Sequence, residues 1–188
     1  MTPEEVIDVF RKTGALLEGH FLLRSGLHSN RFFQAALVLQ YPRLAEPLCA
    51  ALAAKARGLG AETVISPAVG GLIVGQEVAR ALGGRAIFAD KEEGNLVLKR
   101  GFALRPGEPV IVAEDVVTRG GRVQQTIDLV RTLGATPVAA LALVDRSMGE
   151  ARFDIPFHPL LRLELATYPP EDCPLCRAGV PLVRPGSK

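Results

Sequence analysis

No apolar run in the chain approaches the ~20 residues of a membrane-spanning helix, so nothing reads as an integral helical membrane protein. Charge of one sign is not in excess either. The 22 basic and 20 acidic side chains leave a net +2 with both signs interspersed, which removes the electrostatic case for a nucleic-acid partner or a membrane surface. Cysteine is scarce: Cys49, Cys173 and Cys176 offer no disulfide framework, in agreement with a reducing compartment. The N-terminus carries a helix signal where a secretory leader would show a basic and then an apolar stretch. These absences lead to the expectation of a soluble, cytoplasmic protein. What is present is a chain of 188 residues that is 48% hydrophobic, ample for one buried core with at most a small appended subdomain.

Residues 110–123 organise the chain. Val110, Ile111, Val112 and Ala113 read as a short buried parallel strand, Thr118 to Gly121 as a turn, and Val123, Ile127, Val130 and Leu133 as one face of a helix. Gly120 and Gly121 let backbone approach a ligand, and the first free N–H groups of the helix point into the turn, which suits an anion. Neither nucleotide fingerprint fits, because the turn lacks a Gly-Lys-Ser/Thr ending and has no G-x-G-x-x-G. Instead Glu114 and Asp115 stand at the carboxyl end of the strand. Two adjacent acids repel a polyphosphate at close range but accept hydrogen bonds from vicinal hydroxyls, so the implied ligand is a sugar phosphate.

On this apolar strand, Glu-Asp pair, Thr118 and Gly-containing turn, the chain resembles the type I phosphoribosyltransferases and their motif for 5-phosphoribosyl-1-diphosphate (PRPP). The resemblance implies an α/β fold: a parallel sheet flanked by helices, with a small N-terminal hood. It further implies that Glu114, Asp115, Val117, Thr118, Arg119, Gly120, Gly121 and Arg122 bind PRPP.

Taken in order, Thr2-Pro3-Glu4-Glu5 is a capping box that opens a helix carrying Val6, Val9 and Phe10. Between Ala15 and Leu39, short apolar runs broken by Gly19, Ser25-Gly26 and Ser29-Asn30 suit two or three strands. Residues 42–59 read as a helix, with Cys49 a small core residue, and residues 63–66 as a strand. The loop Pro67-Ala68-Val69-Gly70-Gly71 and a helix over 72–82 then repeat the strand, glycine turn and helix design. In a parallel sheet both glycine loops open on one edge, where they can share a ligand. By resemblance the second loop takes the diphosphate on Ala68, Val69, Gly70 and Gly71, with a cis peptide at Ala68–Val69. Residues 85–89 read as a strand and 90–95 as a loop. A hairpin is expected between 96–99 and 102–104, turning at Arg100-Gly101. A wholly apolar strand over 137–144 ends in Asp145-Arg146, 154–165 reads as a further strand, and 167–188 as an irregular tail.

Phe21-Leu22-Leu23-Arg24-Ser25-Gly26, Phe32-Phe33, Asp145-Arg146 and the tail's Cys-Pro-Leu-Cys are similar to the orotate phosphoribosyltransferases. That resemblance implies Phe32 or Phe33 against the orotate ring, Arg24 beside the substrates, and Thr118 and Arg146 on orotate. A guanidinium grips a carboxylate with two parallel hydrogen bonds, which suits Arg146 to the role; the plain alternative is a surface arginine paired with Asp145. The plain alternative is that Phe32 and Phe33 fill a core and Arg24 is a solvated charge. Lys91 matches the family's mobile basic loop and is expected on PRPP, with Lys91, Arg24 and Asp115 as the catalytic groups. Lys99 and Arg100 either replace missing loop bases or are ordinary surface charges. The implied partners are PRPP and orotate with Mg²⁺, in a homodimer that completes its active site across the interface. The whole chain, 1–188, is expected to be one domain whose hood comprises about 15–40 plus the C-terminal segment. A purine phosphoribosyltransferase and a non-catalytic PRPP-binding regulator of the same fold remain as rivals.

Cys173 and Cys176 supply two ligands where a structural zinc needs four. His158 and Cys49 are too scattered to complete a site, so two free thiols on a loop are expected, with a zinc shared between two subunits as the alternative; His20, His28 and His158 show no ligand spacing, and no residue is assigned to a metal.

Overall fold

The computed structural model describes residues 1–23 and 25–185, so the role expected of Arg24 lies outside the described residues. Helix α1 (Pro3–Lys12) begins as its sequence dictates: the Thr2 hydroxyl accepts the Glu5 N–H, and the Glu5 carboxylate accepts the Thr2 N–H. Strands β1 (Leu16–Leu22) and β2 (His28–Phe33) pair antiparallel, and the short helix α2 (Ala36–Leu39) leads into α3 (Pro42–Ala53). The sequence carries that helix to residue 59. It instead tightens into a 3₁₀ turn at Ala54–Ala56 and ends ahead of Gly58, which sits at positive φ.

The main sheet then builds from β3 (Thr63–Pro67), helix α4 (Gly71–Leu82), β4 (Arg85–Glu92), β5 (Asn95–Leu98), β6 (Pro109–Val117), helix α5 (Gly121–Thr132), β7 (Thr136–Asp145) and β8 (Phe157–Arg162). Its order is β5-β4-β3-β6-β7-β8, parallel except for the β4–β5 pair. Residues on α1, α3 and α4 pack one face through Val6, Leu48, Leu52, Val74 and Val78. Helix α5 covers the other through Val123, Ile127 and Val130. Because the chain steps from β3 to β4 on one side and from β6 to β7 on the other, the strand order reverses between β3 and β6. The crevice outside their carboxyl ends is where a ligand binds in such sheets.

Further sequence expectations need correction. The hairpin lies between β4 and β5, turning at Glu93 and Gly94, both at positive φ (47° and 90°), and residues 102–104 form no strand. A two-residue turn with both φ values positive matches the twist of the paired strands, and that decides the register. The tail is not irregular throughout either. After β8, shorter than the strand read over 154–165, strand β9 (Thr167–Tyr168) pairs with β2, making the hood sheet β1-β2-β9. Helix α6 (Pro174–Arg177) follows, and Val183 then hydrogen-bonds His20 and Leu22 backbone alongside β1.

At the opposite edge of the sheet, buried Glu108 ties three segments together. Its carboxylate accepts from the Thr63 hydroxyl, the Arg105 N–H (2.8 Å) and Arg85 Nη2 (2.9 Å). Burial alone would raise its pKa, but these hydrogen bonds and the Arg85 charge prevail and hold it at about 2, against an ordinary 4.5. A depressed carboxyl contributes stability that is present above its unfolded pKa and lost as the pH falls through the folded value. Glu108→Gln should therefore cost about 1–3 kcal/mol at neutral pH and nearly nothing near pH ~2. Denaturant titrations at the two pH values check it; equal costs at both would contradict the network.

Candidate active site

Strand β6 outlasts its neighbour β3, whose last pair with it is Ile65 with Val112, so Glu114 and Asp115 lie beside the loop that follows β3. Glu114 is buried and Asp115 half-buried. Gly70 approaches Asp115 so closely that a β-carbon there would sit 2.8 Å from both carboxylate oxygens. The backbone of Gly70 is ordinary (φ −59°), so it is this contact, not strain, that calls for glycine. Asp115 is held in place because its Oδ1 accepts the Val116 N–H at 2.7 Å. The peptide between Ala68 and Val69 is cis, as the resemblance implied.

The turn after β6 forms the second wall. Gly120 caps α5 at φ +78°, and a side chain there would also press on Phe153 and Ala151, whereas the space beside Gly121 is open. No side chain caps α5, which leaves its first N–H groups facing a cleft of about 250 Å³. Glu114, Val117, Thr118, Arg119, Gly120, Gly121 and Arg122 line it. Arg122 Nη1 donates to the Ala68 carbonyl at 3.1 Å, which fastens the two glycine loops to each other. A larger hollow of about 480 Å³ lies at residues 56–62 near the amino end of β3, and it contains neither a carboxylate pair nor a glycine turn at a helix start.

Arg146 follows β7, and its N–H donates to the Val117 carbonyl at 2.8 Å, which puts it beside Thr118 at the same edge. Its side chain is largely buried, and burial lowers the guanidinium pKa from its usual value. The Nε is buried without a hydrogen-bond partner among the described residues. The pairing with Asp145 does not form. Asp145 accepts the Ser147 N–H (2.9 Å) and lies 3.5 Å from Arg162 Nε. A buried guanidinium nitrogen with an open donor, next to an anion-binding turn, is equipped for a second anionic group.

Burial, the charge of Asp115 and the hydrogen bond between the two side chains push the Glu114 carboxyl up to about 8, and the Asp115 N–H that Glu114 Oε1 accepts and the charge of Arg122 offset only part of this. From the ordinary 4.5 to about 8, folded Glu114 keeps a proton that the unfolded chain has released. The folded state binds more protons in that window, so stability is full below it and falls as the pH rises through it. Glu114→Gln should thus flatten the dependence of Tm on pH and raise Tm at the alkaline end of the window. Thermal melts across it check this, and an unchanged slope would contradict the assignment.

Other expected residues are less gathered. Phe33 is core, its ring 4.8 Å from that of Phe10, while half-buried Phe32 lies on the other face of β2 near Phe21. Alternation along the strand gives one ring to the core and leaves only Phe32 open to a ligand. Lys91 is exposed near the end of β4, opposite Leu96, and among the described residues makes no ion pair with the acids. Lys99 pairs with Glu92 (2.6 Å), and Arg100 with Asp90 (3.2 Å) while lying over the Phe88 ring. They are held on the hairpin rather than at the carboxylate pair. Sequence reasoning missed one cluster outright. His20 and His28, which show no ligand spacing in the sequence, and Cys173 and Cys176, read as two free thiols, come together in the hood.

The profile of the phosphoribosyl transferase domain matches residues 43–158, a span that holds both glycine loops, the acids and Arg146. The chain belongs to the phosphoribosyl transferase family. Among its relatives, the orotate phosphoribosyltransferase of Pelotomaculum thermopropionicum is 52% identical over 188 residues, covering 100% of this chain and 99% of that one. That of Heliobacterium modesticaldum is 51% identical over 190 residues, 100% of each. The crystal structure of orotate phosphoribosyltransferase from Aeropyrum pernix is similar at TM-score 0.71 and 26% identity, covering 84% of this chain and 93% of that one. The expected parallel sheet flanked by helices is present, with a separate three-stranded hood sheet.

Proposed function

We propose that the chain is an orotate phosphoribosyltransferase, transferring the 5-phosphoribosyl group of PRPP to orotate to give orotidine 5′-monophosphate and diphosphate. Full-length similarity at about half identity to proteins of that name supports the reading. The observation that carries it in the site is the open Arg146 donor beside the 118–122 turn, because orotate bears a carboxylate that purine bases lack.

In this arrangement the first N–H groups of α5 hold the 5-phosphate, Glu114 and Asp115 accept from the ribose hydroxyls, and the 68–71 loop faces the diphosphate. Orotate N1 attacks C1 as the bond from C1 to the diphosphate oxygen breaks, its electron pair leaving with the diphosphate. Positive charge develops on the ribose, and the Asp115 carboxylate stabilises it in place. No protein base is required if orotate arrives deprotonated at N1. Lys91 and Arg24 neutralise the leaving group, Phe32 borders the base, and Arg119 and Arg122 add charge at the phosphate turn.

Mg²⁺ fits this donor set. The raised Glu114 pKa, caused by burial and by the charge of Asp115, marks an acidic pair short of counter-charge, and a hard cation takes the Asp115 oxygens while keeping waters and substrate oxygens. Asp115 would hold it together with the substrate, and its chemistry is charge neutralisation at the diphosphate.

One domain spanning 1–188, its hood formed by about 15–40 and the C-terminal segment, working as a cytoplasmic homodimer, completes the reading. An apolar hollow of about 460 Å³ at Leu72, Ile73, Phe88 and Phe102 supports a second copy beside α4 and β4. Among the described residues no helix is long and apolar enough to cross a membrane. An assay with PRPP, Mg²⁺ and a panel of bases tests the activity. Turnover of orotate alone is expected; turnover of adenine or hypoxanthine but not orotate would favour the purine enzyme, and PRPP binding without any turnover the regulator.

A further inference from the structure

The hood is a small sheet with a weak third strand. Strand β9 is two residues long and meets β2 through only two residue pairs, His28 with Tyr168 and Ser29 with Thr167. Leu16 and Phe33 seat the β1–β2 hairpin on the main core, but two residue pairs give β9 and the segment after it little hold, and weakly paired units of this kind depend on a staple. Four side chains that take no part in the phosphoribosyl site meet where the C-terminal segment crosses the hairpin.

His20 lies on β1 and His28 at the start of β2, whose cross-strand partner is Leu22. The two histidines are therefore diagonal neighbours on one face of the hairpin, and their rings are 4.8 Å apart. Cys173 and Cys176 flank a single helical turn in which the Arg177 N–H donates to the Cys173 carbonyl, and three residues of helix return side chains to one side. His20, His28 and Cys173 are buried, and Cys176 closes the group from the solvent side.

The ligand atoms lie at tetrahedral distances. His20 Nε2 is 3.4 Å from Cys173 Sγ and 3.7 Å from Cys176 Sγ, and His28 Nδ1 is 3.3 Å from Cys176 Sγ. Zinc bonds of ~2.0–2.1 Å to nitrogen and ~2.3 Å to sulfur require a nitrogen–sulfur edge of about 3.6 Å. The two ring nitrogens are 2.9 Å apart, somewhat closer than a zinc would set them, and all four atoms lie within 4.8 Å of one another. His20 Nδ1 is 2.8 Å from the Val180 carbonyl, which can only accept. That contact places the proton on Nδ1 and leaves Nε2 a bare lone pair aimed into the cluster, the arrangement that outer partners impose on metal-bound histidine. Two thiolates would also neutralise a divalent cation and leave no net charge buried. Cys49, by contrast, is alone in the core, where burial pushes its thiol up to about 12.

We infer that His20, His28, Cys173 and Cys176 form a closed, structural Zn²⁺ site that staples the C-terminal segment across the β1–β2 hairpin. All four ligands come from one chain, so no second subunit is needed. No coordination position is left open, which separates the site from catalysis. The inference does not depend on which base the enzyme uses.

The test uses the full-length protein, freed of any affinity tag and dialysed, with its metal content measured by plasma mass spectrometry. About one zinc per chain is expected, with Cys49→Ala retaining it and the Cys173→Ser, Cys176→Ser double variant losing at least ~90%. Should that variant fail to fold, the unsubstituted protein still decides. Chelation under reducing conditions should lower its Tm, and added Co²⁺ should produce intense tetrahedral d–d bands with thiolate charge transfer. A metal-free protein at full Tm with no such Co²⁺ spectrum would overturn the inference, as would isolation of the chain with Cys173 and Cys176 joined as a disulfide.

Discussion

Arg146→Ala should raise the KM for orotate by about 10²-fold, equivalent to about 3 kcal/mol for a charge-assisted pair lost from a buried setting, while the KM for PRPP stays within about threefold. The expected asymmetry comes from position. Arg146 is anchored through its backbone to Val117, and its buried Nε has no partner among the described residues to release before a ligand carboxylate arrives. Arg146→Lys should recover only part of the loss, since an ammonium cannot supply two parallel donors. Steady-state kinetics with each substrate varied in turn check this. An unchanged KM for orotate, or a loss confined to PRPP, would move Arg146 from the base to a phosphate.

Asp115→Asn should lower kcat by about 10²–10³-fold, the range found when one group facing developing charge is removed from a preorganised site. The amide oxygen can still accept the Val116 N–H, so the loop geometry survives and the charge alone is deleted. Stability should move the other way. Asp115 is one of the causes that raise the Glu114 pKa, so its neutralisation brings that pKa down and raises Tm at neutral pH. Single-turnover rates and melts on the same preparation check both signs. A variant that is slower and also less stable would mean that Asp115 is held for packing against Gly70 rather than for charge.

The strands, the glycine turns and the acidic pair were legible in the sequence because each rests on a local signal. Four apolar residues ahead of Glu114, glycine at the head of α5 and the capping box at Thr2 are all decided within a few positions of the chain. Errors arose where two local signals competed or where no local signal exists. Glu93-Gly94 and Arg100-Gly101 both sit at positive φ, and only the pairing of Ala89 with Leu98 reveals which of them joins two strands. Phe32 and Phe33 are alike in sequence, and packing on Phe10 separates them. The pairing of Asp145 with Arg162, not Arg146, and the gathering of Thr63, Arg85 and Arg105 on Glu108 depend on strands meeting side by side. The hood cluster is the extreme case. Cys173 and His20 are 153 positions apart, and no spacing rule for histidine and cysteine reaches across a fold.

The site at the β3–β6 crevice is tested most directly by backbone amide chemical shifts as PRPP and Mg²⁺ are added to isotopically labelled protein. Amides of residues 118–123 and 68–71 should shift first and along a common binding curve, and in Asp115→Asn that curve should move to higher ligand concentration. If those amides stay in place while signals elsewhere respond, for instance around the hollow at residues 56–62, the sugar phosphate is bound at another surface and the account is contradicted.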